Sequence, residues 1–256
     1  MSTLMRTTLV EARLFLREPT AAILGVLSPT LILLALGAIP TLREPSEEYD
    51  GARFVELWAP SALVLGIGVI ALQHIPGVLA TYREHGVLRR LSTTPVHPVK
   101  LLLAQLLVGL AACVVAGALV VVTAWLVLDV PLPRHPWTFL AAFGVGFGAV
   151  LALGTLIAAV APSSRVAGGL ATLVYMVVMF AGGVFLPRFL MPDALVRMGD
   201  YTPPGVQGLL TAWSDHPGVL ATVGAQSGST RLVQLAIMAG VAIVAGAAAA
   251  KLFRWE

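Results

Sequence analysis

The sequence predicts an all-α membrane protein, with six transmembrane helices behind an N-terminal amphipathic helix in a single domain, residues 1–256. Three observations carry this reading. Of the 256 residues, 58% are hydrophobic and 11% charged, against about 45–50% and roughly 25% in soluble globular chains. Mean hydropathy is +0.90, too high for a surface that faces water on all sides. Six apolar runs reach the ~20 residues that a helix needs to cross a hydrocarbon core of ~30 Å, at about 20–41, 57–81, 99–128, 137–161, 165–187 and 231–251. Strict period-2 alternation is absent, which argues against a membrane β-barrel.

The elements follow in order. Residues 1–19 set Met5, Leu9, Ala12 and Leu16 on one helical stripe and Arg6, Arg13 and Arg17 on another. Val10 and Leu14 interrupt the pattern, and Pro19 ends it. Such a helix lies in the headgroup plane with its arginines toward anionic lipid. The first apolar run follows this charged stretch without a small-residue cleavage site, so it reads as a retained span. Pro29, Pro60 and Pro76 are expected to kink or end helix segments. The loop 42–56 is short and acidic, and the loop 82–98 is short and basic. Gly144, Gly146 and Gly148, then Gly182 and Gly183, let neighbouring backbones approach. The segment 188–230 holds Pro192, Pro203, Pro204 and Pro217 among moderately apolar stretches. It is too broken to span and reads as re-entrant or interfacial helices capping the outer face.

Six crossings put both termini on one side. With the termini lie Arg6, Arg13, Arg17, Arg83, Arg89, Arg90, Lys100, Arg165, Lys251 and Arg254; opposite lie Arg43, Arg53, Arg134, Arg188, Arg197 and Arg231. That bias, strongest in the short loop 82–98, places both termini in the cytoplasm and the chain in the plasma membrane.

Several function classes drop out. Lys100 and Lys251 are the only lysines, and neither sits in Gly-x-x-x-x-Gly-Lys-[Ser/Thr], the pattern that cradles phosphates. No His-Glu-x-x-His is present, and the five histidines share no ligand spacing. The lone Cys113 excludes an internal disulfide framework or cysteine metal cluster. Gln226-Ser227-Gly228-Ser229 resembles a nucleophile turn, but Gly224 stands three residues before Ser227 and Gly-x-Ser-x-Gly fails. Span interiors hold Gln73, His74, Gln105 and Gln234 but no Asp, Glu, Lys or Arg at mid-membrane, which leaves ion-coupled transport without its usual groups. A net charge of +3 is too small to imply nucleic acid.

The loop Tyr82-Arg83-Glu84-His85-Gly86-Val87-Leu88-Arg89-Arg90-Leu91-Ser92-Thr93-Thr94-Pro95-Val96-His97-Pro98 is the most informative stretch. Its first part suits a short helix with Val87, Leu88 and Leu91 on one face, which Pro95 and Pro98 end. Held between two spans, such a helix suits docking to a soluble partner. The stretch resembles the cytoplasmic loop of type-2 ABC exporter permeases, the daunorubicin-resistance-like branch especially, at Glu84, Gly86, Leu88, Arg89, Arg90, Leu91, Thr94 and Pro95. It departs at Val87, where threonine is common. A second match, Phe180-Ala181-Gly182-Gly183-Val184-Phe185-Leu186-Pro187, Met191-Pro192, Tyr201-Thr202-Pro203 and Gly205-Val206-Gln207-Gly208-Leu209, resembles the family's fifth span and outer cap.

The resemblance implies a fold and a mechanism. The amphipathic helix becomes an elbow helix and the loop 82–98 carries a coupling helix. Two permease chains, identical or homologous, pair in the membrane, each docking a separate ATPase subunit. ATP and Mg belong to that subunit; this chain holds no cofactor, no metal and no catalytic group. Closure of the ATPases pushes on Arg83, Glu84, His85, Gly86, Leu88, Arg89, Arg90, Leu91 and Pro95. Here Glu84 accepts hydrogen bonds from the partner or caps the short helix, Gly86 allows close approach, and Arg89 and Arg90 reach carboxylates. Leu88 and Leu91 seat in a groove of the ATPase. The path between protomers would include Leu33, Leu65, Tyr175, Met176, Met179 and Phe180, suited to hydrophobic, drug- or antibiotic-like cargo. Export of a lipid or lipid-linked glycan is the alternative; a membrane-embedded enzyme or a scaffold fits less well.

Overall fold

The computed structural model describes residues 3–49, 51–87, 98–186, 191–216 and 228–252. Among them the chain is helical between short connections, with one isolated antiparallel bridge between Pro45 and Arg53. Five helices are long and apolar enough to cross a membrane, and a broken sixth lies at the start.

The amphipathic helix, Thr3–Arg17, meets the following helical stretch at 86°. Its protein-facing stripe is Leu4, Thr8, Glu11 and Phe15, with Glu11 and Phe15 buried, and it packs along the third span. Of the expected apolar stripe, Met5, Leu9 and Leu16 face outward together with Val10 and Leu14, while Ala12 packs against the core. Val10 and Leu14 therefore widen the lipid-facing surface rather than spoiling it.

Span 1 comprises Pro19–Ala21, a π-helical segment Ala22–Leu27 and an α-helix Ser28–Gly37. Span 2 repeats that plan with Phe54–Ile67, a π segment Gly68–His74 and Ile75–Glu84. Spans 3, 4, 5 and 6 are Pro98–Leu128, Pro136–Val160, Ser164–Ala181 and Gly228–Leu252. Three boundaries differ from the sequence expectation. Span 1 stops at Gly37 because a 3-10 turn begins at Pro40. Span 5 stops at Ala181, where Gly183 turns with a φ of 80°. Span 2 runs to Glu84, so Tyr82, Arg83 and Glu84 belong to its last turn, not to the loop. Residues 88–97, the remainder of the expected coupling helix, lie outside the described residues.

The two π segments pack on each other. A Cβ on Gly25 would come within 2.7 Å of Ile70, and one on Gly66 within 3.2 Å of Pro29, so these glycines let spans 1 and 2 cross closely. Pro29 and Pro76 both stand in the first turn of the α segment that follows a π segment. Ile75 N–H reaches back five residues to Ile70. Pro76 has no N–H to continue that ladder, which frees the carbonyl of Ala71 from the next five-residue bond. Span 4 covers that oxygen at Gly154, where a Cβ would overlap it. Pro60, by contrast, sits inside an uninterrupted α-helix.

The end of the bundle away from the termini is closed by two short helices, Asp193–Asp200 and Val206–Trp213. Every residue of the second is buried as it wedges among spans 2, 4 and 6. Gln207 bonds Gln234 of span 6, and Trp213 Nε1 donates to the Pro131 carbonyl at 2.8 Å. The rest of the expected cap, 188–190 and 217–227, lies outside the described residues. Arg53 donates to the carbonyls of Leu128 at 3.1 Å and Asp129 at 2.8 Å, and Arg43 to Val127 at 3.2 Å. Both close the end of span 3, where carbonyls lack intrahelical donors and the helix dipole is negative.

Candidate functional site

The ends of the spans on the side of the termini hold the charged groups that the sequence singles out. Because span 2 stays helical to Glu84, Arg83 and Glu84 project from a rigid turn toward the connection between spans 4 and 5. Arg83 donates to the carbonyls of Ala158 at 2.8 Å and Ala159 at 3.1 Å, and to that of Ala161. These are the last carbonyls of span 4, which a guanidinium fork is shaped to satisfy. Glu84 accepts the backbone N–H of Ser164 at 2.9 Å, while Ser163 caps Val166 at 3.3 Å. A carboxylate and a hydroxyl thus cap the first turn of span 5. One arginine and one glutamate clamp the end of span 4 and the start of span 5 to the end of span 2.

Helix 2 then terminates in a defined way. His85 N–H bonds Thr81, Gly86 N–H bonds Arg83, and Gly86 takes a φ of 64°. Among the described residues no atom lies within 4 Å of a Cβ built on Gly86, so within this chain its glycine answers to the left-handed backbone conformation. Of the expected coupling residues, Arg83, Glu84, His85 and Gly86 come together at this turn. Leu88, Arg89, Arg90, Leu91 and Pro95 lie outside the described residues.

A second polar cluster joins the amphipathic helix to spans 2 and 3. Glu11, 5% exposed, accepts the Tyr82 hydroxyl at 2.9 Å and the amide of Gln105, both on Oε2. Burial pushes the Glu11 carboxyl above its ordinary value, opposed by the Tyr82 and Gln105 hydrogen bonds. Phe15 meets the His74 ring edge-on at 5.2 Å, and His74 Nδ1 lies 3.7 Å from the Glu18 carboxylate. Glu11 has no place among the sequence-based site residues. Its signal was the spacing Leu4, Thr8, Glu11, Phe15, an acid on the stripe that packs inward.

The six expected path residues divide between two surfaces. Leu33, Leu65, Tyr175 and Met179 are buried within the chain. Tyr175 and Met179 press on Gly68 at the start of the π segment of span 2, where a Cβ would approach both within 2.8 Å. Met176 and Phe180 face outward from span 5, and Phe180 stacks edge-on with Phe185 at 5.4 Å. Phe185 also meets Tyr175 at 6.1 Å, so an aromatic group bridges the two surfaces at the C-terminal end of span 5.

No curated protein sequence matches the chain. The model of the ABC-2 type transporter family matches residues 4–204, from the first turn of the amphipathic helix to the proline pair before the buried cap helix. That match takes in the right-angled start, the paired π-helical spans and the Arg83–Glu84 clamp. The chain belongs to the ABC-2 type transporter family and is a membrane subunit of an ABC transporter.

Proposed function

We propose that this subunit exports hydrophobic, drug-like small molecules from the cell by alternating access, driven by a separate ABC ATPase that holds the ATP and Mg. In this reading both termini are cytoplasmic, two permease chains pair in the plasma membrane, and cargo passes between them. The daunorubicin-resistance-like branch, suggested by the loop and cap motifs, is the source of the drug-like assignment. One observation carries the mechanism. The helix that leads into the loop is joined at its last turn to spans 4 and 5, through Arg83 and Glu84. Force applied to that loop therefore reaches three spans at once. Leu33, Leu65, Tyr175, Met176, Met179 and Phe180 remain the proposed path, with the outward Met176 and Phe180 nearest to a second chain. His85 and Gly86 set the angle at which the loop leaves the helix, and Leu88, Arg89, Arg90, Leu91 and Pro95 are proposed to make the ATPase contact.

The test is co-expression with candidate ABC ATPases, co-purification, and reconstitution in lipid. Expected is a complex whose hydrolysis rises with hydrophobic dyes. Stimulation by lipid or lipid-linked glycan alone would replace the cargo class, and failure to bind any ABC ATPase would overturn the coupling scheme.

A further inference from the structure

The amphipathic helix does not close on span 2 along its whole length. Between them lies a cleft of about 560 Å³ at the inner end of the spans. Its lining includes the carboxylates of Glu11 and Glu18, the Gln73 amide and the rings of Phe15, His74 and Tyr82, and no lysine or arginine is among the described lining residues.

The polar groups there have capacity to spare. Both hydrogen bonds to Glu11 fall on Oε2; among the described residues Oε1 accepts none, although the side chain is almost fully buried. A carboxylate has about four acceptor positions, and Oε1 is not sealed in the packed interior but belongs to the wall of the cleft. The Gln73 side chain likewise makes no hydrogen bond among the described residues. Glu18 has only the imidazole at 3.7 Å, and its side chain is 52% exposed. Acceptors without cations, walled by aromatic rings that attract positive charge, favour an ammonium over an anion. The place adds a second requirement. The amphipathic helix presents Met5, Leu9 and Leu16 outward and so lies in the headgroup plane. A ligand entering beneath it comes from the same leaflet, with its apolar part still in lipid.

We propose that this cleft receives the ammonium head of a membrane-borne amphiphilic amine, held between Glu11 and Glu18, with its apolar body along Leu14 and Phe15. The proposal rests on the exporter reading and deepens it, naming the charge and shape of the cargo at the point of entry.

The test uses the full chain in phosphatidylcholine vesicles without an ATPase. The probes are a dansylated long-chain primary amine and its N-acetylated, uncharged counterpart, and the readout is polarization above that of empty vesicles. The amine is expected to bind at least tenfold tighter than its acetylated form. That preference should fall below threefold in Glu11→Gln/Glu18→Gln and persist in Glu47→Gln/Glu48→Gln, which alters the outer loop. Should the inner double variant not fold, Glu18→Gln alone must lower the preference, since Glu18 is half exposed. Equal binding of the two probes to the native chain, or a preference that survives loss of both carboxylates, overturns the proposal. Adding phosphatidylethanolamine separates two sources of the same amine. Displacement of the probe assigns the cleft to a lipid head, and undiminished binding assigns it to an exogenous amphiphile. Amine selectivity without ATPase association would sink only the exporter reading, and ATPase association without amine selectivity only this one.

Discussion

Arg83 is the residue on which the junction of spans 2, 4 and 5 most depends, because one side chain answers three carbonyls at the end of span 4. Arg83→Ala leaves those groups without donors, at about 1–3 kcal/mol. We expect a lower unfolding midpoint in detergent, with Arg83→Lys intermediate because an ammonium lacks the planar fork. Glu84→Gln should preserve the cap on Ser164, since an amide oxygen also accepts, whereas Glu84→Ala should loosen the start of span 5. Cysteine-accessibility labelling at residues 162–166 reads this directly; equal labelling of both variants would remove the capping role. Glu11 gives a pH dependence. Its folded carboxyl titrates above its ordinary value, so the folded state binds more protons than the unfolded state between the two values. Stability is therefore expected to fall as pH rises through that window and to level off above it. A melting series from acid to neutral pH should show a smaller decline in Glu11→Gln than in the native chain. Arg83 and Glu84 were legible in the sequence as a charged pair at the end of an apolar run. Their partners were not, because those lie 75 to 80 positions away on backbone atoms that no residue pattern marks.

At the scale of elements, apolar length marked five long spans and the broken helical stretch at the start, since only a helix satisfies its own backbone in lipid. The π segments escaped notice because widening a helix by one residue per turn leaves composition unchanged. Glycine spacing was also a poor guide to packing. Gly144 and Gly148 fit Gly-x-x-x-Gly yet face open space, whereas Gly146, between them, abuts the carbonyl of Pro204, and Gly154 abuts that of Ala71. Valine substitution should separate these cases. Gly146→Val and Gly154→Val force backbone apart and should each cost about 1–3 kcal/mol or more, read as lost monodisperse yield and a lower midpoint. Gly144→Val should be close to neutral in the isolated chain. If it proves as damaging as Gly154→Val, the crossing of spans 2 and 4 does not depend on that glycine contact.

For the whole molecule, the arrangement of spans decides how motion is shared. Span 2 is the most enclosed of the five long apolar helices, with 72% of its apolar window buried against 22% for span 6. It touches spans 1, 3, 4 and 5 and the buried cap helix. The loop proposed to meet the ATPase thus leaves from the centre of the bundle. Reporter fusions at the C-terminus and within 46–52 are expected to report opposite compartments, with the C-terminus cytoplasmic. Matching reports would require an even number of crossings between those points, against the five of the six-span arrangement. The Lys/Arg distribution carried that expectation, and three of the arginines it counts, Arg43, Arg53 and Arg83, also cap helix ends.

The π segment Gly68–His74 also has a consequence for the genetics of the chain. An α-helix turns by ~100° per residue, so losing one residue from an ordinary stretch rotates everything beyond it onto the wrong face. A π segment already contains one residue more than α geometry needs. Deleting a single position there should tighten the segment to an α-helix and leave the faces on either side in phase. Single-residue deletions scanned through span 2 should therefore be tolerated within 68–74 and abolish membrane assembly at 61–66. In insertion and deletion terms, the most enclosed of the five long apolar helices carries its own spare residue.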